Sequence, residues 1–248
     1  MTLAAVRSTP ALDPIFDNHL AFLDAHRGSI RAGPGWNALD GRAPFLSFVA
    51  PLSDAVAIDA DCSAVWTYPW SGASWASKLD GLGFSQAGEM SYMELSGPLT
   101  AAPRRDVSIQ TVQSEAEADE FAAIQARGFL TADSPDREWW RRCFLAMARC
   151  NHADPNQTLL LARVGEKPVA VLLAVRAGGV AGIYAVATDP NFRREGLSTA
   201  LLHRAGEDAV EKSAGPLVLQ AMTGSYAEGF YARAGFELRY RCQMWRRR

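Results

Sequence analysis

The chain has 248 residues, of which 48% are hydrophobic and 21% are charged, and its formal net charge is −2. This composition is typical of a globular protein long enough for one large domain or two modest ones. The charge gives no global electrostatic basis for binding nucleic acid or an anionic membrane. No apolar run approaches the roughly 20 residues that span a bilayer, and residues 1–12 lack the core of a secretory signal, so we expect a cytoplasmic protein.

The first hundred residues carry a few apolar elements and end in a linker. The pattern predicts a helix over Pro14–His26 and strands over 45–49 and 64–68. Residues 96–103 are rich in turn formers and poor in charge, which is typical of a linker. We therefore expect a first domain over residues 1–100 and a second over residues 105–248.

From residue 105 onward, strand and helix signals alternate. Ser114 and Ser225 each open a helix with a capping box, and Gly128 ends the first of these helices. Ser134, followed by proline, is the predicted N-cap of another helix. A fourth helix over 197–209 has apolar residues at every fourth position. The predicted strands are 107–112, 158–164, 169–175, 183–188, 217–221 and 237–245.

The most informative segment is 186–201, where an apolar strand runs through a turn into an amphipathic helix. A helix start carries unpartnered N–H groups and the positive end of the macrodipole, so it favours an anion. Gly196 has no Cβ and lets a phosphate approach the backbone. The spacing fits neither a Walker loop nor a Rossmann fingerprint. What remains is Arg193-x-x-Gly196-x-Ser198, with Pro190 three residues before the arginine.

This pattern resembles the acyl-CoA-binding motif of the GNAT family of N-acetyltransferases, usually Arg/Gln-x-x-Gly-x-Gly/Ala. Ser198 stands where the family usually has Gly or Ala, and Thr188 stands where it usually has Val. The run Phe230-Tyr231, followed by Gly235-Phe236, looks like the family's C-terminal signature. The resemblance implies the GNAT acyl-CoA N-acyltransferase fold, which is an α/β fold with a mixed sheet.

The same resemblance implies acetyl-CoA as cosubstrate. The end of the strand would hold the pantetheine arm and polarise the thioester carbonyl, and the helix start would line the pyrophosphate through its N–H groups. The implied cofactor-binding residues are Val186, Ala187, Thr188, Arg193, Arg194, Glu195, Gly196, Leu197, Ser198 and Thr199.

Tyr231 is the implied catalytic residue, because the family places its general acid at the tyrosine of this signature. A phenol has a pKa of about 10 and is protonated at neutral pH. The alternative is a packed aromatic residue. The general base is not assigned, because 183–186 and 217–220 contain no carboxylate. Deprotonation then falls to water, which Tyr184 could order, to a side chain of the first domain, or to an acceptor amine of low pKa.

An internal repeat relates the two domains. Gly83-Phe84 echoes Gly235-Phe236, and the same offset places Leu79 opposite Tyr231 and brings no phosphate motif into register. We infer a tandem arrangement in which the first domain is a shortened, degenerate GNAT-like half. Its expected role is structural or substrate-shaping.

The sequence thus predicts an acetyl-CoA-dependent N-acetyltransferase that moves an acetyl group to a primary amine by direct transfer in a ternary complex. The acceptor is a small-molecule or peptide amine. The alternatives are a catalytically lapsed acyl-CoA-binding regulatory or interaction module, and transfer of a different acyl group. Trp139 and Trp140 either border the acceptor or divide between core and domain interface. No metal is expected, because the Cys and His spacing does not suit zinc, and neither is a nucleic-acid or membrane partner.

Overall fold

The structure is a computed structural model that describes residues 13–43, 46–104 and 106–248. The segment tested for a signal core, the start of the strand predicted at residue 45 and the domain start predicted at residue 105 lie outside the described residues. The helices are α1 (Pro14–His26), α2 (Trp75–Gly81), α3 (Glu115–Phe129), α4 (Arg137–Asn151), α5 (Leu197–Glu211) and α6 (Tyr226–Ala234).

The strands of the described residues form one mixed sheet. They are β1 (Gly28–Gly33), β2 (Trp36–Gly41), β3 (Phe48–Pro51), β4 (Ala64–Thr67), β5 (Phe84–Leu95), β6 (Ser108–Thr111), β7 (Gln157–Val164), β8 (Lys167–Ala177), β9 (Val180–Thr188), β10 (Leu217–Met222) and β11 (Phe236–Arg247). Their order across the sheet is β1-β2-β3-β4-β11-β5-β10-β9-β8-β7-β6.

The element order predicted after residue 105 is confirmed, and two helix boundaries were wrong. Gly128 lies inside α3, one residue before its last residue, and does not end the helix. A Cβ at this position would come within 2.8 Å of the Cβ of Ala187 on β9. Glycine is used here for close packing of helix on strand. Ser134 does not cap α4, since its hydroxyl accepts the N–H of Thr131, 2.8 Å away, and the N-cap is Asp136.

The last strands of the two sequence halves pair with each other. β5 and β11 run antiparallel, from Phe84 opposite Arg247 to Leu95 opposite Phe236. Each strand follows a helix and a glycine with positive φ, and this is the repeat seen in the sequence. β5 also pairs with β10, and β11 also pairs with β4. The last strand of each half therefore lies between two strands of the other half: β5 lies between β10 and β11, and β11 lies between β4 and β5.

The sheet splits between β9 and β10. Their parallel pairing runs from Leu217 opposite Ala181 to Leu219 opposite Ile183 and then stops, although both strands continue. β10 stays paired with β5 on its other side. β9 bulges against β8 at Ala185, whose φ is 51°. The edge of β9 beyond Ile183 is consequently open.

Helix α1 anchors the first half to the β8–β9 hairpin. The fully buried Asn18 donates its side-chain amide to the carbonyls of Val175 at 2.9 Å and Ala177 at 3.1 Å. Its amide oxygen accepts the hydroxyl of Tyr184 at 2.7 Å. Gly182 makes room, because a Cβ there would overlap that amide oxygen. Among the helices described, none has the length and apolar character needed to cross a membrane.

Candidate functional site

The turn after β9 is fixed by a buried carboxylate. Asp189 is only 4% exposed, and it accepts the N–H of Asn191 at 3.1 Å and the guanidinium of Arg127 at 2.9 Å. Arg193 donates to the carbonyl of Gly128 at 2.9 Å, which ties the turn to the end of α3. These contacts fix the turn after β9 beside the end of α3.

The start of α5 has no side-chain cap among the described residues. The N-cap of this helix is Gly196, with a φ of 75°. The first helical bond runs from the N–H of Ala200 to the carbonyl of Gly196, so the N–H groups of Leu197, Ser198 and Thr199 have no helical acceptor. Together with the macrodipole, these N–H groups favour a phosphate at this point.

The helix start and the open edge of β9 face one cleft of about 520 Å³. Tyr231 also lines this cleft. Of the residues predicted to bind the cofactor, Glu195 is not among those lining it, and its carboxylate pairs with the Arg104 guanidinium at 2.6 Å. The others line the cleft together: Val186, Ala187, Thr188, Arg193, Arg194, Gly196, Leu197, Ser198 and Thr199.

The two departures from the family motif contact each other. The hydroxyl of Thr188, at the end of β9, lies 3.2 Å from the hydroxyl of Ser198, in the first turn of α5. A valine and a glycine could not form this bond. The pair therefore joins the end of β9 to the first turn of α5.

Tyr231 sits at the inner wall of the cleft and is 9% exposed. Its ring packs against Phe230 and Phe236, with centroids 5.1 and 5.7 Å away. Burial raises the pKa of its phenol, so the hydroxyl is protonated at neutral pH. Within the described part of the chain, this hydroxyl makes no hydrogen bond.

Helix α6 is held in place by a residue of the first half. Ser225 accepts the N–H of Glu228 at 3.2 Å, as the capping box predicted. The Glu228 carboxylate accepts the N–H of Gly224 at 2.6 Å and the hydroxyl of Ser91, on β5, at 2.5 Å. These bonds lower the pKa of Glu228. The position of Tyr231 thus depends on a strand from the first half.

Two polar side chains lie where β9 and β10 separate: Tyr184, which the sequence singled out, and Gln220, which it did not. The Tyr184 hydroxyl donates a hydrogen bond to the amide oxygen of Asn18, and burial raises the pKa of Tyr184. Gln220 lies on β10 just past the last pair with β9. Both polar atoms of its side chain are buried and make no well-formed hydrogen bond to the described residues, although the amide lies near the Tyr184 hydroxyl. A single glutamine in the apolar run 217–221 was the available signal.

Metal ligation has no candidate among residues 13–43, 46–104 and 106–248, where no three His, Cys, Asp or Glu side chains are grouped suitably. The cysteines are free thiols. Cys242 is buried, Cys62 and Cys143 are half-buried, and Cys150 is exposed.

A family model for the acetyltransferase (GNAT) domain matches residues 99–228, which is just over half of the chain. The match contains β9, the turn and α5, and it ends before Tyr231. No curated protein matches the chain.

Solved structures give the same fold at low identity. The chain is similar to a GCN5-related N-acetyltransferase from Kribbella flavida, with a TM-score of 0.66 and 17% identity over 94% of this chain and 95% of that one. A GCN5-related N-acetyltransferase from Sphaerobacter thermophilus gives 0.60 and 17%, covering 86% and 76%. A tandem GNAT protein from the clavulanic acid biosynthesis pathway gives 0.54 and 13%, covering 87% and 80%. The chain has the mixed α/β GNAT fold and belongs to the GNAT acetyltransferase family.

Proposed function

We propose that the protein is an acetyl-CoA-dependent N-acetyltransferase that transfers an acetyl group directly to a primary amine in a ternary complex. One observation carries this proposal: the uncapped start of α5, the open edge of β9 and the Tyr231 ring line one cleft of about 520 Å³. The family uses acyl-CoA. The helix start suits the phosphates of acyl-CoA, the strand edge suits its amide-bearing arm, and Tyr231 suits its leaving sulfur.

The residues of the cleft fit the cofactor by their chemistry. N–H groups of Leu197, Ser198 and Thr199 bind the pyrophosphate, and the unpaired backbone of Val186 to Thr188 binds the amide-bearing arm as a neighbouring strand would. When bound, acetyl-CoA supplies an activated acetyl group as a thioester. The transfer forms one C–N bond, breaks one C–S bond and leaves the free thiol.

Tyr231 supplies a proton to the departing sulfur. Its raised pKa keeps the phenol protonated, and the hydroxyl has no competing bond to the described residues. The acceptor amine loses its proton to water, because neither β9 nor β10 carries a carboxylate. Tyr184, occupied by Asn18, is not assigned this role.

The first half acts as a degenerate GNAT-like unit that shapes the site. Residues 52–63, between β3 and β4, contain no helix in the position that α5 occupies between β9 and β10. The first half therefore has no phosphate site of this kind. Its contributions are β5 beside β10, and α1 over the β8–β9 hairpin.

Calorimetry on protein freed of CoA tests the cofactor, and release of CoA thiol across a panel of amines tests the transfer. We expect acetyl-CoA to bind and at least one amine to be acetylated. Binding without turnover for any amine would favour the lapsed module, and faster turnover with propionyl-CoA would favour a different acyl group. Failure to bind acetyl-CoA contradicts the proposal.

The variant Tyr231→Phe tests the proton donor, since it keeps the packed ring and removes only the hydroxyl. We expect kcat to fall by a factor of about 10² or more with little change in acetyl-CoA affinity. Thermal unfolding of the variant provides the control for packing. An unchanged kcat would make Tyr231 a core residue only.

A further inference from the structure

A second cavity lies on the face of the sheet opposite α5 and α6. It has a volume of about 90 Å³ and is enclosed by α1, α3, α4 and the strands beneath them. Its lining includes Phe22, His26 and Arg27 from the first half and Gln125 from α3. The site therefore draws on both halves of the sequence.

This cavity adjoins the cofactor cleft at the bulge of β9. Ala185 lines the cavity, and the next residue, Val186, lines the cleft. At the end of α3, Phe129 lines the cavity and the preceding residue, Gly128, lines the cleft. The cavity and the cleft are therefore lined by neighbouring residues of β9, at the strand edge where the acyl group is expected.

Arg27 is a half-buried cation without a counter-ion. Its guanidinium carbon lies 5.1 Å from the ring centroid of Trp140 and 5.8 Å from that of Phe22. No carboxylate of the described residues pairs with it. Burial lowers the pKa of Arg27, and the neighbouring Arg42 cation lowers it further. A cation in such a place is stabilised when an anion joins it.

Gln125 is a second unpartnered polar group that faces the cavity. It is 7% exposed, and its side-chain amide makes no hydrogen bond to the described residues. His26 is already engaged, because its Nε2 atom lies 2.8 Å from the Oε1 atom of Gln157. Burial lowers the pKa of His26 to about 4, so its ring is neutral at pH 7. The charge of the cavity lining is therefore that of Arg27.

We propose that this cavity is the acceptor site and that the acceptor is a small primary amine with its own carboxylate, which Arg27 binds while Gln125 hydrogen-bonds to it. The inference rests on the proposed acetyltransferase function. The volume of about 90 Å³ is several times the roughly 10–15 Å³ that one water needs, which suits a carboxyl group and a short carbon chain. Phe22 and the other apolar side chains of the lining favour an apolar body between carboxylate and amine.

Matched amines test the inference, because the two members of each pair differ only in the carboxylate: alanine with ethylamine, and 4-aminobutanoate with propylamine. We expect wild-type KM to be lower for the carboxylate member of a pair by a factor of about ten or more. Arg27→Gln should remove that difference and leave acetyl-CoA affinity unchanged. Arg31→Gln, which changes an exposed arginine paired with Asp40, is the control.

A second variant guards against loss of folding in the first. Gln125→Leu breaks no hydrogen bond to the described residues, so we expect a folded protein with a raised KM for the carboxylate member alone. Calorimetry with each amine in the absence of acetyl-CoA gives a readout independent of turnover.

The outcomes separate the two proposals. Equal KM and equal binding for both members in wild-type protein overturn the acceptor inference even if acetylation occurs. A preference for a peptide N-terminus that survives Arg27→Gln also overturns it. Loss of acetyl-CoA binding in wild-type protein overturns the proposed function instead.

Discussion

Two buried histidines make the stability of the fold sensitive to mild acid. His19 and His26 are 5% and 6% exposed, and their rings bond the hydroxyl of Tyr92 at 2.7 Å and the amide of Gln157 at 2.8 Å. Burial, with the Arg27 cation beside them, lowers the pKa of His19 to about 3 and that of His26 to about 4, from an ordinary value of 6.5.

The sign follows from which state binds protons first. Between pH 6.5 and the folded values, the unfolded chain takes up protons that the native rings refuse, so stability is full above pH 6.5 and falls as the pH falls. At pH 5 the pH lies about 1.5 units below the unfolded pKa of each histidine, which costs about 2 kcal/mol of stability for each ring, or about 4 kcal/mol for the pair. That is a large share of the ~5–15 kcal/mol typical of a domain.

Urea denaturation at pH 8 and pH 5, followed by the fluorescence of the seven tryptophans, measures this difference. His26→Gln should keep only about half of the acid-induced loss, about 2 kcal/mol. His152→Gln, on the turn after α4, is the control and should lose as much as wild type. A free energy of unfolding that is the same at both pH values, or an unaltered loss in His26→Gln, would refute the reasoning.

Three further substitutions test the packing and the cleft. Ser198→Asp places a carboxylate in the first turn of α5, where it suits the helix dipole, so the fold should be kept while acetyl-CoA binding falls at least tenfold. The control, Ser198→Ala, should bind acetyl-CoA nearly normally. Equal affinities of the two variants would count against the anion site. Asn18→Leu leaves Tyr184 and strand carbonyls without partners and should cost about 3 kcal/mol or more in urea unfolding, whereas a loss under 1 kcal/mol would contradict the anchoring role. Gly128→Ala should destabilise the fold by about 1–3 kcal/mol, because the new Cβ would lie 2.8 Å from the Cβ of Ala187. The control, Gly206→Ala, has a nearest contact of 3.8 Å and should be neutral or stabilising. The reverse order of stabilities would show that α3 can shift.

Local pattern was sufficient for the second half of the chain. Periodicity and capping signals place β7 to β10, α5 and α6 to within a few residues, because each element there has a clear apolar face. β1 and β2 were missed, since Gly28–Gly33 has no alternating apolar residues and the hairpin is held through β3. Local signals also misled where glycine serves packing, as at Gly128.

Contacts between distant segments explain what the sequence did not predict. The motif around Gly196 indicates the cleft proposed to hold the cofactor, because all parts of the motif are neighbours in sequence. Arg27 and Gln125 share no motif, and only the packing of α1 and α3 on the same two strands, β8 and β9, brings them to one cavity. The sequence of β9 alone gives no sign that the Tyr184 hydroxyl has a partner, because that partner, Asn18, comes from the first half.

The position of β5 has a consequence for how the molecule is made. Both strands that pair with β5 come much later in the sequence, at Leu217–Met222 and Phe236–Arg247. During synthesis β5 therefore emerges with no partner on either side and must wait for more than a hundred further residues. Such distant pairing slows folding, and an exposed edge invites aggregation. A ribosome-bound chain stopped before β10 should consequently depend on chaperones that shield this strand.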